Sequence, residues 1–269
     1  ARSFTGKNKF VRFKTHFHGW HDHMTAGYTS HFDGGAAAGV IDGVADNVVL
    51  VAPQDISEIK SVLKSDNDIA AVIVEPTGSS FGMVPMTQDF LQSVRKFTEE
   101  QGVIFIFDEV VTGFRCSPGG AQQAFDIKPD LTTLAKILAG GLPGGAVAGR
   151  KDILDDLDFE RAAAQGREKI GHPGTFNANP VSAAAGIAAL KIIEQTDACE
   201  QANTSAAILR ENFNNILQKH NVPWAAYGTF SGVHLYMNKN GQTINQSTFN
   251  AHEIGYADLK NKDKDLVTK

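Results

Sequence analysis

Cysteines and long apolar runs are scarce in this sequence, and both absences limit where the protein works. Its 269 residues include two cysteines, Cys116 and Cys199, too few for a disulfide framework, which favours a reducing compartment. No apolar run approaches the roughly 18 residues of a membrane span, and the chain does not open with a signal-peptide pattern. We therefore expect a cytoplasmic protein with no membrane partner.

Excess positive charge is also lacking. The 25 basic and 30 acidic side chains give a net charge of −5, and the basic residues form no block. Nucleic acid is therefore not an expected partner. Apolar residues make up 42% of the chain and charged residues 20%, which is typical of a globular protein with a full core.

Short apolar runs alternate with amphipathic segments through the first half of the chain. We predict buried strands at residues 10–13, 47–52, 69–74 and 103–107. Two helices are expected between them, with Asp55 and Thr87 as their N-caps. Strands that are apolar on both faces and separated by helices predict an α/β fold with a mainly parallel sheet. In such folds ligands bind at the carboxyl ends of the strands.

The second half is predicted to complete this large domain and to begin a smaller one. Further strands are expected at 131–135 and 146–149, and further helices at 180–195 and 198–220. The charged segment 152–171 is predicted to be mobile surface chain. The last helix should turn its apolar side chains inward, namely Ile208, Leu209, Phe213, Ile216 and Leu217. We assign residues 1–222 to the large domain and 223–269, which open with alternating strand-like residues, to the beginning of a smaller α+β domain.

The candidate catalytic residues lie between Ile104 and Gly145. Asp108 and Glu109 follow the predicted strand at once, and Lys136 comes 28 positions after Asp108 in an apolar segment. Poor solvation favours the neutral, nucleophilic form of such an amine, although a lysine at a strand end can also extend into solvent. The carboxylates could instead cap a helix or bind a metal or a ribose. A lysine and a carboxylate at neighbouring strand ends suit a cofactor that needs a Schiff base and a protonated pyridine nitrogen.

A histidine-rich loop offers a rival chemistry. Its side chains could ligate zinc or iron: His16, His18, His21 and His23. Alternate residues of an extended segment share a face, so at most His16 and His18 point the same way, and no HExxH or CxxC pattern supports them. Phe17 in the same loop could instead offer a flat surface to an aromatic ring. A metal-dependent hydrolase is therefore one alternative.

Two other segments could face a bulky, phosphorylated ligand. The glycines of GGLPGG at Gly140–Gly145 allow a tight turn, but the GxGxxG and GxxxxGK[ST] spacings are absent. In HPGTFNANP at His172–Pro180, Thr175 offers a hydroxyl just before a helix start, an arrangement that binds phosphate, although a simple helix cap also explains it.

The chain resembles the class III aminotransferases, which depend on pyridoxal phosphate, and among them the group around glutamate-1-semialdehyde aminomutase. The resemblance rests on FHGWHD, VIVEP, IFIFDEVVTGFR, PDLTTLAKILAGGLPGGAVAGR and HPGTFNANP, which occur in the family's order. It implies the three-layer fold type I large domain. It also implies that the family's Gly-Ser/Thr phosphate cup precedes Ala1 and that the small domain is cut short, so we expect a piece of a longer protein.

The resemblance implies the following roles around the cofactor ring. Lys136 corresponds to the Schiff-base lysine, and Asp108 to the partner of the pyridinium nitrogen. Val110 corresponds to the residue packed against one ring face and Phe17, often tyrosine in the family, to the one stacked on the other. His18, beside Phe17, is assigned to the same cofactor-binding group.

The resemblance further implies a homodimer and a substrate side. Thr175 corresponds to the threonine that reaches the cofactor phosphate of the neighbouring subunit. Glu75 and Ser80 match positions near the substrate, and Ser80 stands where the aminomutase commonly has asparagine. The expected reaction is amino-group transfer on a small amino or amine substrate, either as the aminomutase or with a 2-oxoacid acceptor. An incomplete, inactive fragment of such an enzyme is the main alternative.

Overall fold

A computed structural model of the chain describes residues 1–28, 30–41 and 43–260. The last part of the predicted second domain, residues 261–269, lies outside the described residues. Within them, no helix is both long and apolar enough to cross a membrane.

Six strands form one sheet in the order β2-β1-β3-β5-β6-β7. The strands of the protein are β1 Lys9–Phe13, β2 Val48–Val51, β3 Ile69–Val74, β4 Val84–Pro85, β5 Ile104–Asp108, β6 Leu131–Ala135, β7 Gly145–Gly149, β8 Ala225–Tyr227 and β9 His234–Tyr236. All neighbouring pairs of the sheet are parallel except β6 and β7, which are antiparallel. The predicted α/β class with a mainly parallel sheet is confirmed.

Helices connect these strands and cover the sheet. They are α1 Arg2–Thr5, α2 Asp22–Thr25, α3 Ile56–Ser65, α4 Ser79–Gly82, α5 Gln88–Glu100, α6 Gly120–Phe125, α7 Lys151–Leu154, α8 Phe159–Ala164, α9 Pro180–Gln195, α10 Ala198–Lys219 and α11 Tyr256–Lys260. The two predicted N-caps are confirmed, because the Asp55 carboxylate accepts the N–H groups of Ser57 and Glu58, and the Thr87 hydroxyl accepts that of Phe90.

The two faces of the sheet carry separate apolar clusters. On one face α3 and α5 pack their apolar stripes, including Ile59 and Leu91, against strand residues such as Phe13 and Phe105. On the other face the cluster is smaller and includes Ile153 of α7. Burying the strands from both sides explains why their sequences are continuously apolar.

The segment 152–171 contains helical turns, and its fully buried Asp156 pairs with Arg167 at 2.6 Å and accepts the Ser3 hydroxyl at 2.7 Å. One expectation for the second half is wrong. The apolar residues of α10 do not form an inner face, since Ile208 and Ile216 are 54% and 55% exposed. Helical periodicity identifies an apolar stripe, and it does not say what covers the stripe.

β8 and β9 form a separate two-stranded antiparallel sheet, in the region where a second domain is predicted to begin. This sheet contacts the segment between β3 and α5, where the Tyr227 hydroxyl donates to the Met83 carbonyl at 2.6 Å and His234 Nε2 lies 3.0 Å from the Phe81 carbonyl. The two-stranded sheet therefore touches the loop that follows β3.

Candidate active site

The predicted site residues lie at the carboxyl edge of the sheet. β1 leads into the loop with Phe17, β3 ends directly before Glu75, β5 ends at Asp108, and β6 ends directly before Lys136. Because these four strands are neighbours and parallel, their ends meet at one edge.

Asp108 is the best-supported side chain of this edge. It is 8% exposed, its Oδ1 accepts the Val110 N–H at 3.1 Å and the Thr133 hydroxyl at 3.0 Å, and its Oδ2 lies 2.7 Å from His18 Nδ1. A carboxylate has about four lone-pair positions, so three contacts fix its orientation and leave one acceptor position for a ligand.

His18 donates a hydrogen bond to Asp108. Burial lowers the pKa of His18, and the hydrogen bond to Asp108 opposes this shift without overcoming it. The ring then carries its proton on Nδ1, which donates to Asp108, and the buried Nε2 has no partner among the described residues.

Two apolar residues are joined to this pair through the backbone. Phe17 directly precedes His18, is 48% exposed, and its ring centroid lies 4.9 Å from that of Tyr28. Val110 is half-buried and is held by its N–H bond to Asp108. The structure thus brings Phe17, His18, Asp108 and Val110 into one connected group.

Glu75 and Ser80 join the group through backbone hydrogen bonds. The Glu75 carboxyl is 7% exposed, and it accepts the N–H of Phe17 at 2.6 Å and that of Ser80 at 3.0 Å. Burial raises the pKa of Glu75 to about 8. Ser80 and the following Phe81 have φ values of 53° and 59°, so the turn that presents Ser80 is held in an uncommon left-handed conformation.

Lys136 begins a 3-10 turn, Lys136–Ala139, directly after β6. Its side chain is exposed, so the expectation of a poorly solvated lysine is wrong for this chain. Within the same turn, Ala139 is buried and lies close to Gly186 of α9. The turn approaches α9 so closely that a Cβ on Gly140 would lie 2.3 Å from the Ala185 carbonyl oxygen.

Thr175 lies apart from this group. It is exposed in the loop before α9, and no hydrogen bond joins it to the other candidate residues among the described ones. Neighbouring residues of the same loop, His172 and Phe176, form an open groove of about 650 Å³ with the glycine turn that contains Gly144.

The histidine-rich loop forms no metal centre in the described part of the chain. His16 is fully buried and accepts the Glu75 N–H on Nδ1 at 3.0 Å, whereas His18 faces Asp108. No group of three or more metal-ligating side chains comes together among the described residues. The metal-dependent alternative therefore has no site there.

Two supporting residues were missed from the sequence. Thr133 donates to Asp108 because β5 and β6 pair in a register that places these residues side by side. Arg12 is a fully buried arginine whose guanidinium donates to the carbonyls of His16 and Met24, and so holds the histidine-rich loop from within. An arginine inside an apolar strand is a signal that could have identified it.

Comparisons with known proteins identify curated relatives of this chain. The chain is 39% identical over 224 residues to a glutamate-1-semialdehyde 2,1-aminomutase of Sulfurisphaera tokodaii, covering 82% of the chain and 52% of that protein. A second such aminomutase, from Methanothrix thermoacetophila, is 40% identical over 237 residues, or 86% of the chain and 52% of that protein. The chain thus spans about half the length of these curated relatives.

Solved structures with the same fold include an omega-transaminase from Sphaerobacter thermophilus and a glutamate-1-semialdehyde aminomutase from Pseudomonas aeruginosa. The first has a TM-score of 0.78 and 31% identity over 88% of this chain and 55% of that one. The second has a TM-score of 0.70 and 26% identity over 96% and 57%. The family model for aminotransferase class-III matches residues 1–255, and the chain therefore belongs to the class-III aminotransferases.

Proposed function

We propose that this chain forms the cofactor-binding part of a pyridoxal-phosphate-dependent enzyme that transfers an amino group. The observation that carries the proposal is the buried His18–Asp108 pair at the end of β5, one strand away from Lys136 in a class-III aminotransferase. The domain division at residue 222 and the cytoplasmic location belong to the same proposal.

The residues present fit pyridoxal phosphate. Asp108 retains one acceptor position for a ring N–H, and the half-exposed Phe17 offers an apolar ring to one side of a flat ligand. Lys136 has an exposed amine on the neighbouring strand end. A carboxylate, an aromatic face and an amine are the groups that this cofactor requires.

When bound, pyridoxal phosphate supplies an electron sink for the charge left on the substrate when its α-proton departs. Asp108, oriented by His18, Thr133 and the Val110 N–H, would bind the ring nitrogen. Phe17 and Val110 would hold the ring and exclude water from it.

Lys136 would hold the cofactor through its ε-amine, and the same amine would move the proton at the substrate α-carbon as general base and then general acid. We propose a homodimer in which Thr175 would bind the cofactor phosphate of the neighbouring subunit. Glu75 and Ser80 belong to the substrate side.

The aminomutase reaction of glutamate-1-semialdehyde and transamination with a 2-oxoacid acceptor are both open to this site. Identities of 39% and 40% to two aminomutases favour the first, and Ser80 in the substrate-side turn leaves room for the second. A product assay with glutamate-1-semialdehyde, run beside an amino acid with a 2-oxoacid, separates them.

A second candidate function is that of an incomplete part of such an enzyme, in which the 269-residue polypeptide is not active alone. It is favoured by the coverage of about half of the curated relatives and by the exposure of Lys136. In that case the 269-residue polypeptide fails to bind the cofactor, whereas the longest reading frame that contains it binds.

The test is to add pyridoxal phosphate to the purified protein and to record the absorption spectrum and turnover. Lys136→Ala should abolish both the spectral shift and turnover, whereas Lys191→Ala, an exposed lysine of α9, should change neither. A Lys136→Ala protein that keeps both would refute the assignment.

A further inference from the structure

Glu75 stands at the centre of the carboxyl edge. It follows β3, which lies between β1, whose loop carries Phe17 and His18, and β5, which ends at Asp108. A side chain at this position can reach the loops of both neighbours.

The contacts of Glu75 join two loops rather than fill a ligand site. One carboxyl oxygen accepts the Phe17 N–H at 2.6 Å, and the other accepts the Ser80 N–H at 3.0 Å. The Glu75 N–H donates to His16 Nδ1 at 3.0 Å, and the Ser79 hydroxyl donates to the Thr15 carbonyl at 2.6 Å. The loop after β1 and the turn after β3 are thus bound to each other at several points.

Both loops need such support. The turn holds Ser80 and Phe81 at positive φ, a conformation that costs free energy in residues other than glycine and persists only when the surroundings impose it. The Phe17 ring is about half exposed, so its own packing does not fix it. A backbone hydrogen bond to a buried carboxyl supplies the missing constraint at each place.

We propose that Glu75 is a positioning residue whose carboxyl group fixes Phe17 and Ser80 relative to each other, so that the ring-stacking side and the substrate side of the site keep one arrangement. This role rests on the function proposed above, and it replaces a direct contact between Glu75 and the substrate. At 7% exposure, and with a backbone N–H on each oxygen, the carboxyl group has little surface to offer a substrate.

The ionisation of Glu75 should strengthen its two hydrogen bonds to Phe17 and Ser80, while the burial of the charge lowers the overall stability of the folded protein. Burial and the neighbouring Asp108 raise the pKa of Glu75 to about 8. The backbone donors and Lys260 of α11 lower this pKa without cancelling the rise, and the buried Arg12 of β1 also faces the carboxyl group. As the pH rises through this value, both oxygens become full acceptors, whereas below it one of them is a weaker hydroxyl acceptor.

The test compares Glu75→Gln with Glu58→Gln. In Glu75→Gln one oxygen becomes an NH2 group, which cannot accept a backbone N–H. Glu58 of α3 is the matched control, because its carboxylate also accepts a backbone N–H, that of Ala52 at 2.7 Å, away from the site. Glu75→Asp, which keeps both acceptors on a shorter side chain, replaces the first variant if that one fails to fold.

The first measurement is amide hydrogen exchange at Phe17 and Ser80, which needs no cofactor. At a pH above the Glu75 pKa of about 8, protection of at least one of the two amides should fall about 10- to 100-fold in Glu75→Gln and stay unchanged in Glu58→Gln, because a hydrogen bond to a charged carboxylate is lost. Unchanged protection at both amides would overturn the proposal.

The second measurement uses the holoenzyme. Glu75→Gln should alter the visible circular dichroism of the bound cofactor before substrate is added, and lower kcat about 10-fold or more while KM changes little. The wild-type signal should rise as the pH passes about 8, and the variant signal should not. A rise in KM alone, with unchanged circular dichroism, would make Glu75 a substrate contact and overturn the proposal.

The two measurements separate this proposal from the function on which it rests. A wild-type protein that shows no cofactor spectrum, while Glu75→Gln still loses amide protection, refutes the proposed function and leaves the link between the loops supported. A normal cofactor spectrum in the wild type, together with unchanged amide protection in Glu75→Gln, supports the proposed function and refutes the link between the loops.

Discussion

Replacing Gly186 with alanine tests the contact that positions Lys136. Gly186 lies within α9, and a Cβ built on it would be 2.4 Å from the Leu138 carbonyl oxygen. Real Cβ atoms are essentially never closer than 3.0 Å to such an atom. The clashing atom belongs to the backbone of the turn that begins at Lys136, so it cannot rotate away. The helix and the turn must separate.

Two opposing terms set the size of the effect. Alanine is better than glycine inside a helix by about 1 kcal/mol, which would stabilise the protein if the contact were absent. Overpacking a close contact costs about 1–3 kcal/mol, and a backbone oxygen places Gly186→Ala at the upper end of that range. We therefore expect a net loss of about 2 kcal/mol in the free energy of unfolding.

Urea unfolding of wild type and variant measures this difference, with the m-value as a check that the unfolded states are comparable. Ala188→Gly, at an exposed position of the same helix, calibrates the propensity term and should cost about 1 kcal/mol. A Gly186→Ala protein more stable than wild type by about the amount that Ala188→Gly loses would mean that the helix does not touch the turn, and it would refute the predicted clash.

Two further predictions concern the carboxyl edge. The pKa of Glu75 is about 8 in the folded protein and near 4.5 in the unfolded chain, so the folded state binds this proton more tightly. The stability that this group contributes is therefore full below pH 4.5 and is lost as the pH rises to about 8. The loss of stability is on the order of 5 kcal/mol. Glu75→Gln should flatten the pH dependence of the unfolding free energy, and an equally steep curve in the variant would contradict the raised pKa of Glu75. Thr133→Val removes one donor from Asp108, worth about 1.5–3 kcal/mol, and should lower kcat about 10-fold while the cofactor spectrum persists. Thr132→Val is its control, and equal rates in the two variants would remove Thr133 from the site.

Local chemistry explains which parts of the fold were predictable. The strands β3 and β6 have the predicted bounds. The first is a continuous apolar run closed by Glu75 and Pro76, and the second, LTTLA, ends where the chain reaches Lys136. Helix starts were predictable because Asp55 and Thr87 satisfy free backbone N–H groups. The buried Asp156 was not predictable, because its partners Arg167 and Ser3 are brought to it only by the fold.

The candidate site divides in the same way. Residue type and strand ends were enough to place Asp108 and Lys136 at one edge, whereas the Asp108–Thr133 hydrogen bond depends on the register of two strands that are far apart in sequence. The link from Glu75 to Phe17 and Ser80 depends on backbone N–H directions, which side-chain identity does not encode. Tertiary geometry therefore supplies the support around the reactive groups.

The edge strand β7 has a consequence for handling the protein. It is the last strand of the sheet, it is exposed along its whole length, and its sequence GAVAG contains no charge or proline. Among the described residues no strand pairs with its outer side, so a row of backbone donors and acceptors faces outward. Charged side chains and prolines are the usual protection against edge-to-edge aggregation, and here only the flanking Pro143 and Arg150 provide it. A chain prepared with this edge uncovered is therefore expected to aggregate by strand addition.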